Sequence, residues 1–305
     1  MSSSTTFMDT PMLAQKTADD ESGGGVSLWR DAYYRLMKNK MAVIGGLFII
    51  FEIVICVITP WIVPYGFDVQ NLELTLAPPS AAHWLGTDSL GRDLFTRLLY
   101  GGRISMMVGF LASIVSVIVG VVYGAISGFI GGKLDNVMMR IVDVLYALPF
   151  VFLVIILMVY FGRNIVLLFI ALGFTQWLTM ARIVRGQVIS LKEKEFIEAA
   201  RSMGITSWAI IYRHLIPNTL GPVIVYLTLT VPSVILDEAF LSFLGLGVQA
   251  PMASWGTLIS NGVEVMEIAP WALLFPAITL SVTLFSLNFL GDGLRDALDP
   301  KGAKD

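Results

Sequence analysis

Four carboxylates stand inside long apolar stretches of this sequence: Glu52, Asp143, Asp237 and Glu238. An ionisable group in such a stretch is costly in lipid. It marks an ion or proton path, or a polar seam between helices. Arg140 and Asp143 are three residues apart, a spacing that lets them pair on one helix face. A second charged cluster, Asp88, Arg92, Asp93 and Arg97, could pass for hydrolytic carboxylates. Asp93 and Arg97, four apart, instead suit an ion pair on an amphipathic helix, and the segment reads as structural or docking. Other reagents are scarce. Cys56 is the one cysteine, so no intrachain disulfide forms. His83 and His214 are far apart and fall on opposite sides of the spans traced below. No HExxH or Cys/His cluster is present, so no metal site is expected. Gly132-Lys133 is the nearest fragment of a phosphate-binding loop, but Ser127 and Leu134 occupy its required Gly and Ser/Thr positions. The chain therefore holds no ATP-hydrolysing motif.

These residues are carried on elements that must live in lipid. Of the 305 residues, 56% are hydrophobic and 14% are charged. A soluble domain carries roughly 25% charged residues. The net charge of -3 implies no nucleic-acid surface. Crossing a bilayer takes about 20 apolar residues. Six runs qualify: Met41 to Val63, Ile104 to Phe129, Val137 to Phe161, Ile165 to Ile183, Thr219 to Leu244 and Trp271 to Leu290. The expected fold is an all-α integral membrane protein of six transmembrane helices. Pro149, Pro222, Pro232 and Pro276 fall inside the runs, where neighbouring helices can satisfy the carbonyls they free.

The expected organisation follows. Residues 1–26 are a polar, disordered tail. Residues 27–63 hold an interfacial helix capped by Ser27 and the first span. Leu28, Trp29, Ala32, Tyr33, Leu36 and Met37 share one face of that helix. Residues 64–103 form an extracytoplasmic loop with an amphipathic segment. Residues 104–291 are the transmembrane core, with a cytoplasmic loop at 184–218, and residues 292–305 are a cytoplasmic tail. With both termini cytoplasmic, all Lys and Arg fall on the inner side except Arg92, Arg97, Arg103 and Arg163, as the positive-inside rule favours.

Two patterns suggest close contacts. Ala112, Ser116, Gly120, Gly124 and Gly128 recur every four residues, a groove in which another helix backbone can lie. In the inner loop Phe196, Ala199, Ala200 and Met203 are spaced to line one helix face. Gly204 permits a sharp turn, Thr206 or Ser207 caps a second helix over Trp208 to Ile216, and Pro217 closes it. Two short helices at an angle make a projection that could fit a cleft in a partner.

Glu198-Ala199-Ala200, Gly204 and Ile216-Pro217 together resemble the EAA signature of ABC-importer permeases. His214 stands where that signature usually has an aliphatic residue. Gly86-Thr87-Asp88-Ser89-Leu90-Gly91-Arg92-Asp93, followed by Arg97, resembles a motif of the family's peptide and nickel branch, as do Ser242-Phe243-Leu244-Gly245-Leu246-Gly247, Ser254-Trp255-Gly256 and Gly291-Asp292-Gly293-Leu294-Arg295-Asp296-Ala297-Leu298-Asp299-Pro300. The likeness runs from about Trp29 to Lys301 and is greatest to the oligopeptide C-type subunits, then the dipeptide ones.

The resemblance implies an ABC-permease bundle in the bacterial inner membrane that moves oligopeptides, with dipeptides or nickel as the alternative cargo. Glu198, Ala199, Ala200, Gly204, His214 and Pro217 would dock the ATPase. The implied partners are a second, B-type permease, two cytoplasmic ATPase subunits and a periplasmic peptide-binding protein, besides membrane lipid. No cofactor is expected on this chain; ATP and Mg²⁺ would sit in the ATPases. An ion-driven secondary transporter is the competing class, but no inverted repeat supports it. A membrane enzyme is a third, and its convergent catalytic groups are missing.

Overall fold

In the computed structural model, residues 28–162 and 164–298 are described. The expected tail 1–26, the capping Ser27, Arg163 and residues 299–305 lie outside them. The elements are α1 (Leu28–Lys38), α2 (Lys40–Ile62), α3 (Leu94–Ile130), α4 (Gly132–Ala147), α5 (Phe150–Phe161), α6 (Ile165–Leu191), α7 (Glu195–Ser202), α8 (Ser207–Ile210), α9 (Ile216–Asn218), α10 (Leu220–Phe243), α11 (Trp255–Glu264) and α12 (Pro270–Leu298). A wide π-type turn, Ile211–Leu215, joins α8 to α9. Among the described residues no β-strand forms; one isolated bridge joins Thr87 and Asp93.

Five helices, α2, α3, α6, α10 and α12, are each long and apolar enough to cross a bilayer. The expected third span is not one helix. It is α4 followed by α5, bent by 82°. Leu148 precedes a proline, whose ring pushes it out of the helical region to ψ 126. Pro149 then starts α5 afresh. The other prolines do not break their helices. Pro222 sits in the first turn of α10, where an amide has no helical partner to lose. Pro232 and Pro276 are buried inside α10 and α12. The carbonyl that Pro276 frees, on Ala272, faces Gly262 of α11, where a Cβ would stand 2.6 Å from it.

Whether the bent pair crosses follows from its neighbours. The stripe on α3 lies against α6. A Cβ on Gly120 would stand 2.5 Å from Met180 Cβ and 2.9 Å from the Trp177 carbonyl oxygen. One on Gly124 would strike the Ala181 carbonyl oxygen, and one on Gly128 would stand 2.8 Å from that of Arg185. Further out, Gly173 faces Ala112 and Val115. Residue numbers climb together along the contact, so α3 and α6 run parallel. Parallel neighbours need a return crossing between them, and α4–α5 supplies it. Six crossings result.

The remaining directions follow from similar pairs. Ala42, Gly45 and Glu52 of α2 meet Gly293, Ser286 and Thr283 of α12, and Ser105 and Gly109 of α3 meet Glu238 and Ile235 of α10, so numbers rise on one helix as they fall on the other. Both pairs are antiparallel. Leu28, Leu298, the inner ends of α3 and α6, and the 195–218 projection therefore share one side. The loop 63–93 and α11 share the other. At 1.5 Å per residue α3 is roughly 55 Å long, against about 30 Å of hydrocarbon. Its helix begins at Leu94, so the segment expected in the outer loop is continuous with the second span. At the other terminus α12 runs on to Leu298 through much of the expected tail.

Buried side chains form seams between these helices rather than one central core. Ile49, Met106, Ile235, Trp255 and Leu287 join α2, α3, α10, α11 and α12. Val121, Val184, Val188, Ile197, Ala200 and Leu215 join α3, α6 and the projection.

Candidate functional site

The projection follows directly from α6. α7 is short, its N-cap Lys194 makes no side-chain cap, and Met203 ends it. Gly204 then adopts φ +74°, in the left-handed region. A Cβ is disfavoured there by roughly 1–2 kcal/mol. No neighbouring atom lies where that Cβ would go, so the requirement is conformational. Thr206 caps α8 by accepting the Ala209 amide at 3.4 Å. The expected second helix does not stop at Pro217. Pro217 stands in the first turn of α9, and the path continues through Thr219 into α10. Proline is compatible with a first helical turn because the amide it lacks has no partner there.

The face read from spacing, Phe196, Ala199, Ala200 and Met203, is divided. Ala200 is buried beside Ile197, and the two anchor α7 to the body with Ile210, Ile211 and Leu215. Phe196, Ala199 and Met203 point outward; Met203 is 72% exposed. Trp208 and Tyr212, one helical turn apart, are 64% and 59% exposed. Glu198 and Pro217 are exposed, and His214 is half-buried, its carbonyl accepting Asn218 Nδ2 at 2.6 Å. The projection thus exposes apolar and aromatic side chains interspersed with the exposed charges of Glu198, Arg201 and Arg213. Trp208 and Tyr212 escaped the sequence reading, although aromatics four apart in a polar loop were the available signal.

The root of the projection is held by an ion-pair cluster that sequence spacing did not indicate. Arg185 of α6 donates Nε and Nη2 to the two Asp135 carboxylate oxygens at 2.5 and 2.6 Å. Ser127 Oγ donates to the same carboxylate at 2.5 Å, and Lys192 Nζ donates to the Gly128 carbonyl at 3.1 Å. Asp135 and Arg185 are distant in sequence, beyond the reach of any local pattern. A bidentate arginine–carboxylate pair fixes orientation as well as distance. It ties the start of α4 and the end of α3 to α6.

At the opposite side the Asp88 cluster is buried. Asp88 accepts the amides of Leu90 and Arg92 at 2.9 and 3.0 Å and Arg92 Nε at 2.7 Å. Arg97 Nε lies 3.3 Å from the same carboxylate, and its Nη1 donates to the Phe67 carbonyl at 3.1 Å. The expected Asp93–Arg97 pair does not form. Asp93 precedes the helix and caps it, accepting the Thr96 amide at 2.8 Å, and its other oxygen lies 2.9 Å from His83 Nδ1. This knot fastens the 63–93 loop onto α3. Removing one partner of a buried ion pair leaves the others uncompensated. Asp88→Asn should destabilise the protein by roughly 3–5 kcal/mol, read as a lower melting temperature in detergent. Unchanged melting would show that Arg92 and Arg97 find other counter-charges.

The four intramembrane carboxylates separate. Asp143 pairs with Arg182 at 2.8 Å, not with Arg140, because α6 packs beside α4 there. Glu52 is buried with Thr283 Oγ1 at 2.8 and 2.9 Å from its two oxygens. Glu238 is fully buried and accepts Ser105 Oγ at 3.0 Å and Ser242 Oγ at 2.6 Å. Asp237 is half-buried and accepts Gln176 Nε2 at 3.1 Å. Cys56 is buried, and no group of three or more His, Cys, Asp or Glu among the described residues could hold a metal.

The chain is similar to known proteins. Residues 120–304 match the family described as the binding-protein-dependent transport system inner membrane component, and residues 27–79 match the N-terminal TM domain of oligopeptide transport permease C. The oligopeptide transport system permease protein OppC of Escherichia coli K12 is 53% identical over 91% of this chain and 92% of its own length. OppC of Salmonella typhimurium is 56% identical over 91% and 92%. The dipeptide transport system permease protein DppC of Bacillus subtilis is 47% identical over 94% and 90%. Among solved structures, a chain of the MetNI methionine ABC transporter in an inward-facing conformation aligns with TM-score 0.55 at 19% identity, covering 68% of this chain and 98% of its own, a likeness of fold. The chain belongs to the family of binding-protein-dependent transport system inner membrane components.

Proposed function

We propose that this chain is the C-type permease subunit of an ATP-driven peptide importer. It forms half of a path through the bacterial inner membrane, and a second, B-type permease forms the other half. Two cytoplasmic ATPase subunits bind ATP and Mg²⁺ and supply the energy; this chain binds no cofactor and catalyses no reaction. A periplasmic peptide-binding protein delivers cargo to the outer face. Both chain ends and the 195–218 projection face the cytoplasm.

The observation that carries this reading is the outward exposure of Phe196, Met203, Trp208 and Tyr212 on one projection. The projection is anchored by Ile197, Ala200 and Leu215, yet it turns aromatic residues outward. Exposed aromatic side chains interspersed with charge suit a protein partner. The positive-inside rule supports the orientation. Arg92 and Arg97, which run against that rule, are matched by Asp88. Peptide cargo is supported by the OppC and DppC relatives.

The test is reconstitution of all the subunits in proteoliposomes. Peptide uptake should require ATP and the binding protein. Uptake driven by a proton or sodium gradient without the ATPases would remove this reading in favour of a secondary transporter. The orientation is checked by labelling single cysteines, with Cys56 replaced by alanine. Ser202→Cys should react with an impermeant maleimide from the cytoplasmic side and Ser89→Cys from the outer side. The reverse result would exclude ATPase docking at the projection.

A further inference from the structure

Three of the four carboxylates in the spans are matched by a partner group. Glu52 and Glu238 are enclosed among hydroxyls, and Asp143 faces Arg182. Asp237 differs. Gln176 Nε2 reaches one of its oxygens, and the other has no partner among the described residues. No cation among those residues pairs with it. It lies six residues before the outer end of α10, roughly 9 Å along the axis. Ser233, one turn further in on the same face, is exposed with its hydroxyl donating to the Leu229 carbonyl at 3.3 Å, and Tyr226 beyond it is half-exposed. An open carboxylate is costly against lipid, which favours a water-lined position for Asp237.

We propose that Asp237, oriented by Gln176, receives the N-terminal α-ammonium group of a peptide in transit. This site rests on the peptide-import reading and deepens it. The chemistry is that of a charge-assisted hydrogen bond from an ammonium donor to a carboxylate. With its amide nitrogen turned to Asp237, Gln176 keeps its carbonyl oxygen as a second acceptor. An ammonium offers three donors and can use both residues. One half-exposed carboxylate holds the group loosely, which suits a site that must also release it.

The experiment uses the whole reconstituted importer, with tri-alanine and N-acetyl-tri-alanine each saturating the binding protein. The chains compared are wild type, Asp237→Asn and Asp237→Glu. Asp237→Asn should lower the initial uptake of free tri-alanine about tenfold. It should leave uptake of the acetylated peptide unchanged, so the preference between the two collapses. Asp237→Glu should restore most of the preference. If Asp237→Asn keeps the wild-type ratio, or slows both peptides equally, the site is wrong while import stands. If the wild type shows no ATP-driven uptake of either peptide, the import reading fails and takes the site with it. Co-purification of all subunits with Asp237→Asn should match wild type; a loss of the second permease would instead make Asp237 a contact between subunits.

Discussion

Gly124→Leu is expected to leave the chain inserted in the membrane but without its native bundle. A Cβ on Gly124 strikes the Ala181 carbonyl oxygen and lies 3.0 Å from the Arg185 nitrogen. Both are backbone atoms of α6, which no rotamer change moves aside. Gly120 and Gly128 hold the same helix one turn away on either side, so α6 cannot tilt locally to make room. Overpacking a well-filled site costs about 1–3 kcal/mol where side chains can adjust. A backbone collision in the largest helix contact lies at or above the top of that range. The measurement is the yield of monodisperse protein after mild detergent extraction, expected to fall more than tenfold. Gly186→Leu is the control, because nothing lies within 4 Å of a Cβ there. Equal yields from both variants would show that α3 and α6 do not meet through glycine.

The second large effect is expected at the projection. Trp208→Ala should weaken ATPase binding about 30-fold or more, the loss typical of an exposed tryptophan that becomes the centre of an interface. The chain itself should fold normally, because Trp208 is 64% exposed and contributes little to its own seam. Affinity is read by titrating purified ATPase onto the permease pair in nanodiscs. Tyr160→Ala, at an 85% exposed position near the other end of the bundle, should change nothing. Unaltered affinity in Trp208→Ala would place the ATPase contact on another surface.

The sequence made some of this legible and concealed the rest for identifiable reasons. Long apolar runs announce spans because lipid admits few alternatives to a helix. The run from Val137 to Phe161 also announced a span, but not its bend. Whether a proline interrupts a helix depends on what surrounds it: Pro232 and Pro276 are enclosed by neighbours, whereas the helix restarts at Pro149. In α7, spacing identified an apolar face but could not say which part lies inward. Ile197 and Ala200 took the body, and Phe196 and Met203 were left outside. The Asp93–Arg97 spacing misled because Asp93 stands just before the helix, where its carboxylate serves the first-turn amides. The Asp135–Arg185 and Gln176–Asp237 pairs join distant segments, and no local periodicity carries that information.

The parallel course of α3 and α6 has a mechanical consequence. Their glycine contact leaves almost no side-chain cushion between two backbones over several turns, and Asp135–Arg185 pins the lower end. The pair therefore behaves as one stiff strut, and the 195–218 projection is its handle. A push on the projection would be carried along the pair rather than absorbed by repacking between the two helices. The crossing between them, bent by 82° at Leu148–Pro149, does not share that stiffness.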